Sequence, residues 1–368
     1  MGTKTWDLTL PSLCKVFEKH FMFGNILSPH DWKDPEMLEM YKHHYNAVTA
    51  ENSMKPLYIS PEKGVFKFDE ADKIVAWAEA NNVTMIGHTL VWHAQSAAWL
   101  NRNEDGSPLT RAEARANLEE FIKCYVGRYS GKIYSWDVIN EAFIDSSGDK
   151  DFTGNWREYI RRETDNKNAV GHWYLAYANG ADSAKGECGS DYVFDSFYFT
   201  RKYDPKAILY YNDYNEEFDH KNKVIPQMVN EINKQWSEHP EYDGRLLIEG
   251  IGMQGHHNHI HTKVEKIRAA LESFSKTGAK IAVTEMEFTY GSSAEPAKPL
   301  SPEQSKAHAE NFTALFKLYM EYSDYIERIT MWGKNDLQSW REWGSPTFFD
   351  ANCQAKETFH AVVALVDK

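Results

Sequence analysis

The chain has 368 residues, 42% of them hydrophobic, enough to enclose a large core. Its net charge is −13, from 41 basic and 54 acidic residues mixed along the sequence without long single-sign blocks. That balance excludes a general attraction to nucleic acid or to an anionic membrane surface, and no run of eighteen apolar residues offers a membrane-spanning helix.

Short β-rich runs alternate with longer amphipathic segments along the whole chain. Strands are predicted at Met22–Ile26, Asn46–Glu51, Thr84–Trp92, Tyr134–Ala142, Ala207–Asp213, Leu247–Gln254, Lys280–Phe288 and Arg328–Trp332. Several are nearly continuous apolar runs (TMIGHTLVW, AILYYND, KIAVTEM), the pattern of parallel strands covered on both faces. Between them, helical spacing predicts Asp69–Asn81, Thr110–Tyr129, Lys221–Trp236, His261–Thr277 and Ser301–Tyr322, with Phe359–Val366 as a closing helix. Thr110 followed by Glu113 is a capping box, and Ser301-Pro302 places a serine cap before a proline at the first helical position.

Eight alternations in one chain predict an α/β fold, a single-domain (β/α)₈ barrel over residues 1–368. Residues 1–20 are expected to form a helical cap, and 146–187 an extended loop and helix after the fourth strand. An open doubly wound sheet is the alternative. It is weakened because GNILSPHD, not a glycine-rich phosphate loop, follows the first strand. Cys14, Cys124, Cys188 and Cys353 are far apart with no CxxC spacing, so they are expected as small buried hydrophobes rather than a zinc or redox motif. The opening MGTKTWDLTLPSL lacks the apolar core of a signal peptide. A secreted module without its leader is expected in preference to a cytoplasmic protein, and a monomer.

In a barrel of this kind the active site lies at the C-terminal ends of the strands. There the second strand delivers Glu51, Asn52 and Lys55, and the third His88, Trp92, His93 and Gln95. The fourth ends in Asn140 and Glu141, the fifth in Asn212, Asp213 and Asn215, and the sixth in Gln254 and His256. Glu285 and Glu287 end the seventh, and Trp332, Trp340 and Arg341 follow the eighth. Two strands that each end in a glutamate suggest paired-carboxylate chemistry: one carboxyl kept neutral to protonate a leaving oxygen, the other ionised. Two carboxyls in a partly dry cleft titrate apart. Glycosidic cleavage uses this inventory and needs no metal or other cofactor. The 14% aromatic content suits a cleft that stacks on sugar rings.

With those residues in hand, the chain resembles glycoside hydrolase family 10, the retaining endo-β-1,4-xylanases. The resemblance runs from about Phe23 to Phe349 and rests on TAENSMKP, GHTLVWHAQ, WDVINEA, LYYNDYN, GIGMQGHH, VTEMEF and MWGKNDLQSW in order. It implies xylan and xylo-oligosaccharides as substrates, Glu141 as general acid/base and Glu285 as nucleophile. It implies Asn140 as the amide bonding the sugar 2-hydroxyl and His256 as the histidine bonding the nucleophile. Gln254, His88 and Trp92 would line the same subsite. Glu51, Asn52, Lys55 and Gln95 would bind the neighbouring non-reducing-side sugars, and Trp332 and Trp340 would form an aromatic floor and lid. Asn212 and Arg341 are further substrate-binding candidates. A retaining enzyme places its two carboxyls roughly 5–5.5 Å apart.

The chain departs from the family pattern at Glu287, where aspartate is usual beside the nucleophile's histidine, and at SAAWL after Gln95, where an Asp-Trp pair is more usual. Three other functions compete. A cellulase or mixed-linkage glucanase on the same barrel is disfavoured by NEA where a common cellulase family has Asn-Glu-Pro. A silent xylan-binding module is disfavoured by the presence of both glutamates. A metal-dependent hydrolase using His256, His257, His259 and His261 is disfavoured because no carboxylate stands at metal spacing.

Overall fold

Parallel strands sit side by side only when a crossover returns the chain to the same edge, and a right-handed helix does this most simply. The computed structural model describes residues 5–145, 153–162, 172–294 and 299–366. Its strands are β1 (Met22–Leu27), β2 (Ala47–Ala50), β3 (Thr84–Trp92), β4 (Ser135–Asn140), β5 (Ile208–Asp213), β6 (Gly250–Met253), β7 (His256–Asn258), β8 (Lys280–Thr289) and β9 (Ile326–Met331). Consecutive pairing runs from β1 to β6, β6 then pairs with β8, β8 with β9, and β9 with β1. Every pairing is parallel, so among the described residues eight strands close into a barrel and the predicted α/β barrel stands.

The ninth strand, β7, is a three-residue continuation of β6 beyond a bend at Gly255 and pairs with β8 alone. Gly255 has φ +74°, and a Cβ there would lie 2.8 Å from Val283 Cγ1, so only glycine makes the bend without strain. The bend sets His256 opposite Glu287 in register.

The helices lie where periodicity places them, with ends moved by a few residues: α4 (Asp69–Ala80), α5 (Arg111–Arg128), α8 (Lys221–Ser237), α9 (Val264–Ser275), α10 (Pro302–Glu321) and α11 (Glu357–Val363). Both capping boxes form: Thr110 N and Oγ1 donate to Glu113 Oε2 at 3.0 and 2.6 Å, and Ser301 Oγ accepts from Gln304 N. Sequence reasoning missed α2 (Pro35–His44), the short α3 (Pro56–Ile59) and α7 (Tyr192–Tyr203). In α7 the run YVFDSFYF has the aromatic content of a strand, but its buried residues recur with helical spacing against α5.

Within 5–20 one helical turn, α1 (Leu13–Val16), precedes Phe17, which stacks on Phe23 of β1 at 5.6 Å. Of the segment 146–187, residues 146–152 and 163–171 lie outside the described residues. The described parts hold a turn at Trp156–Tyr159 and α6 (Trp173–Ala178), and Ile160 bridges to Phe143 just past β4. The cysteines differ from expectation. Cys353 is buried, Cys14 and Cys188 are half-buried, and Cys124 is exposed on the outer face of α5. A helix crossing the outside of a barrel has one wet face, and Cys124 lies on it.

Candidate active site

Asn140 is the last residue of β4, and Glu141 follows in a left-handed conformation with φ +57°. A side chain pays for that backbone region, and such strain collects where a group must be aimed. Glu141 N bonds Asn212 O at 2.9 Å, tying the turn to β5. The carboxyl is 12% exposed and receives three neutral donors: Trp92 Nε1 at 2.8 Å, Gln254 Nε2 at 2.8 Å and Asn140 Nδ2 at 3.1 Å. Burial pushes its pKa above the ordinary carboxylate value, aided by the charges of Asp213 and Glu285 and opposed by Gln254 and Trp92.

Glu285, on β8, is similarly buried but shifts the other way. Burial favours its neutral form, yet this is outweighed by the hydrogen bond from His256 and by the fields of His88, His256 and Lys55, so its pKa is lowered. Its oxygens accept from Asn212 Nδ2 at 2.9 Å and His256 Nε2 at 3.2 Å. The two glutamates are joined by amides: Asn212 Nδ2 and Gln254 Nε2 both reach Asn140 Oδ1, at 2.9 and 3.1 Å.

His256 lies between two acids, with Nδ1 2.9 Å from Glu287 Oε2 and Nε2 facing Glu285. Burial opposes its charge, but both carboxylates raise its pKa to about 9. The extra methylene of Glu287 therefore does not break the histidine contact. Its other oxygen accepts from Ser339 Oγ at 2.5 Å.

On the opposite wall, Lys55 Nζ donates to Asn52 Oδ1 at 2.9 Å and Gln95 Oε1 at 2.8 Å, and lies 5.0 Å from the Trp92 ring centre. Gln95 also has a left-handed backbone, φ +44°. Trp332 is buried edge-on to His88 at 5.4 Å, and His88 Nδ1 is held by Asp137 Oδ2 at 2.9 Å. Trp340, 66% exposed, stands edge-on to His256 at 5.4 Å.

A cleft of about 580 Å³ opens between these walls. Of the sequence candidates, Glu51, Asn52, Lys55, His88, Trp92, Gln95, Asn140, Glu141, Gln254, His256, Glu285, Trp332 and Trp340 line it. Three do not. Asn212 is fully buried beneath the two glutamates, with its Oδ1 accepting from Thr284 Oγ1 at 2.6 Å. Glu287 is fully buried behind His256. Arg341 turns away from the cleft to Thr289 Oγ1 at 3.1 Å and lies 3.8 Å from Glu287. These three brace the wall.

His93, expected at the end of the third strand, has its Nε2 3.9 Å from Glu141 Oε2; sequence reasoning did not put forward Arg161, which donates to the carbonyls of Glu141 at 3.4 Å and Phe143 at 3.0 Å. Tyr214, which the sequence offers beside Asn212 as a functional candidate, also lines the cleft. The histidine cluster disperses: His257 Nε2 meets Tyr319 Oη at 3.0 Å, and His259 stacks on Tyr290 at 3.9 Å. Among the described residues no group of three or more His, Cys, Asp or Glu is placed to hold a metal ion, and no helix is long and apolar enough to cross a membrane.

A closed parallel barrel with a pair of buried carboxyls of opposed tendency at its mouth, beside an exposed indole, is the architecture of a glycoside hydrolase. A profile of glycosyl hydrolase family 10 matches residues 12–365, and the chain belongs to that family. It is 33% identical to endo-1,4-beta-xylanase A of Thermotoga maritima, covering 96% of this chain but 31% of that protein. It is 30% identical to an endo-1,4-beta-xylanase of Geobacillus stearothermophilus, covering 96% of this chain and 98% of the relative. Among solved structures, a GH10 xylanase with a bacterial Ig-like domain from termite gut superposes with TM-score 0.83 at 32% identity, over 98% of this chain and 79% of that one.

Proposed function

We propose that the protein hydrolyses internal β-1,4-xylosidic bonds of xylan and xylo-oligosaccharides with net retention, using Glu285 as nucleophile and Glu141 as acid/base. The observation that carries this is the opposed ionisation of two buried glutamates: Glu285 lowered beside His256, Glu141 raised among neutral donors. The substrate class is supported by the xylanases named above.

In the first step the ionised Glu285 attacks the anomeric carbon as its bond to the leaving oxygen breaks, and Glu141 gives that oxygen its proton. Positive charge on the sugar ring in the transition state is met by the Glu285 carboxylate. In the second step Glu141, now ionised, takes a proton from water as the water oxygen attacks the glycosyl-enzyme. Glu285 leaves as carboxylate, and the anomeric configuration has inverted twice. Asn140 bonds the 2-hydroxyl of the sugar being cleaved, where the amide relay holds it. Glu51, Asn52, Lys55 and Gln95 bind the next sugars on the non-reducing side, and Trp340 covers the ring beside His256.

The test is Glu285→Ala assayed on xylan and on carboxymethyl-cellulose, with and without azide. Hydrolysis of xylan disappears in the variant, and azide restores turnover with an inverted glycosyl azide as product. Near-native activity of Glu285→Ala would sink the assignment. A native enzyme that prefers carboxymethyl-cellulose to xylan would sink the substrate class.

A further inference from the structure

Lys334 follows β9 and is 1% exposed. A buried ammonium persists in its charged form only when anions and hydrogen-bond acceptors surround it. Here Nζ donates to Ser28 Oγ at 2.8 Å, and it lies 3.2 Å from Asp31 Oδ2 and 3.6 Å from Glu51 Oε2. The three partners differ in what they face. Asp31 is fully buried and already caps the turn after β1, accepting from Ser28 N at 2.7 Å. Glu51 has a side chain 31% exposed and is a wall of the cleft.

The same Glu51 oxygen that lies nearest Lys334 also accepts from Ser28 Oγ. Oε2 is thus tied into the barrel by a hydroxyl and an ammonium, which leaves Oε1 for the cleft. A second ammonium, Lys55, lines the same cleft four residues further along the chain and is held by Asn52 and Gln95. A carboxylate with no cation beneath it would be drawn toward Lys55 and take up the group a sugar hydroxyl needs.

We infer that Lys334 is a positioning residue for carbohydrate binding: through Ser28 and Glu51 it fixes the carboxylate that accepts from a non-reducing-side sugar beyond the one being cleaved. Its action depends on Glu51 contacting sugar, as proposed above. Lys334 touches neither sugar nor the reacting atoms, so its signature is a split between substrates and not a uniform loss of rate.

The test compares an aryl β-xyloside, which has one sugar on the non-reducing side of the cleaved bond, with an aryl β-xylobioside, which has two. The variants are Lys334→Met, Glu51→Gln, the double variant and Ser28→Ala. Lys334→Met lowers kcat/KM on the xylobioside about tenfold or more, the loss of a charge-assisted contact, chiefly through KM. Its rate on the xyloside stays within about twofold of the native enzyme, and the double variant is no worse than Glu51→Gln within the same margin. Equal losses on both substrates, or losses that add in the double variant, would overturn the inference and leave Lys334 as a counter-charge for Asp31.

Should Lys334→Met not fold, Ser28→Ala decides: it removes the hydroxyl tether on the same oxygen, and the xylobioside-selective loss appears or the inference falls. If Glu51→Gln leaves the xylobioside untouched, Glu51 is not a sugar contact and the proposal beneath fails. If Glu51→Gln is impaired while both Lys334→Met and Ser28→Ala behave as native, only the positioning role fails.

Discussion

Replacing Glu287 by glutamine keeps the side chain's shape and its bond with Ser339 but removes the charge facing His256. The magnitude follows from the histidine. Its pKa rises from 6.5 to about 9 because Glu285 and Glu287 together outweigh burial. A rise of that size corresponds to about 3 kcal/mol of preference for the charged form. Glu287 is one of two partners, so its share is roughly half, about 1–2 kcal/mol. The sign is set by linkage: a histidine whose folded pKa is raised stabilises fully below pH 6.5, and that stability is lost as pH rises through 9. Glu287→Gln is therefore less stable than the native protein near pH 6, and the deficit closes by about pH 9.5. Urea denaturation at pH 6, 7.5 and 9.5, with the slope unchanged, measures it. In the same variant His256 is still protonated throughout the acidic range where Glu285 titrates, so the acidic limb of kcat/KM does not move to higher pH. A deficit constant with pH, or one that grows toward pH 9.5, would refute this account of the His256 site.

The native pH profile of kcat/KM is a bell whose acidic limb lies below the ordinary carboxylate range, from Glu285, and whose basic limb lies above it, from Glu141. Glu141→Gln removes the basic limb and lowers turnover of xylan about 10²–10⁴-fold, with a smaller loss on aryl xylosides whose leaving group needs no proton. Trp340→Ala raises KM for xylan about three- to tenfold by removing an exposed ring from the cleft edge, while the thermal midpoint barely moves, since surface substitutions cost about 0.5 kcal/mol or less.

The barrel strands were legible because strands covered on both faces are apolar throughout and become polar only where they leave the sheet. Thirteen of the sixteen candidate residues line the cleft for that reason. What the sequence could not separate is which strand-end side chains face the cleft and which face the wall behind it. Asn212 and Gln254 are both amides at strand ends, yet one is sealed beneath the glutamates and the other reaches Glu141. Arg341 lies one residue past Trp340 and points the other way, because chain direction in the loop after β9 follows contacts with Thr289 and His257. Lys334 carried no local signal, since its burial depends on acids roughly 300 positions earlier in the chain. The helix α2 did carry one: Asp34 caps it, accepting from Met37 N at 3.1 Å, and Pro35 opens it.

The opposed pKa shifts of the two glutamates come from the kind of donor each one meets. Both are glutamate, and both are nearly sealed from water. Around Glu141 the donors are an indole and two amides, which stabilise an anion modestly and carry no net charge, so burial prevails and its pKa is held above the ordinary carboxylate value. Around Glu285 the decisive donor is an imidazole made cationic by a second carboxylate, with Lys55 adding to the field. Glu285 and Glu287 share one face of β8 because side chains repeat every second residue, and the bend at Gly255 brings β7 alongside so that His256 sits between them. Aspartate or glutamate at 287 meets that requirement provided the carboxylate reaches Nδ1, and Ser339 holds the longer side chain where it does. The ionisation order of the pair is thus written into the alternation of one strand and one glycine bend.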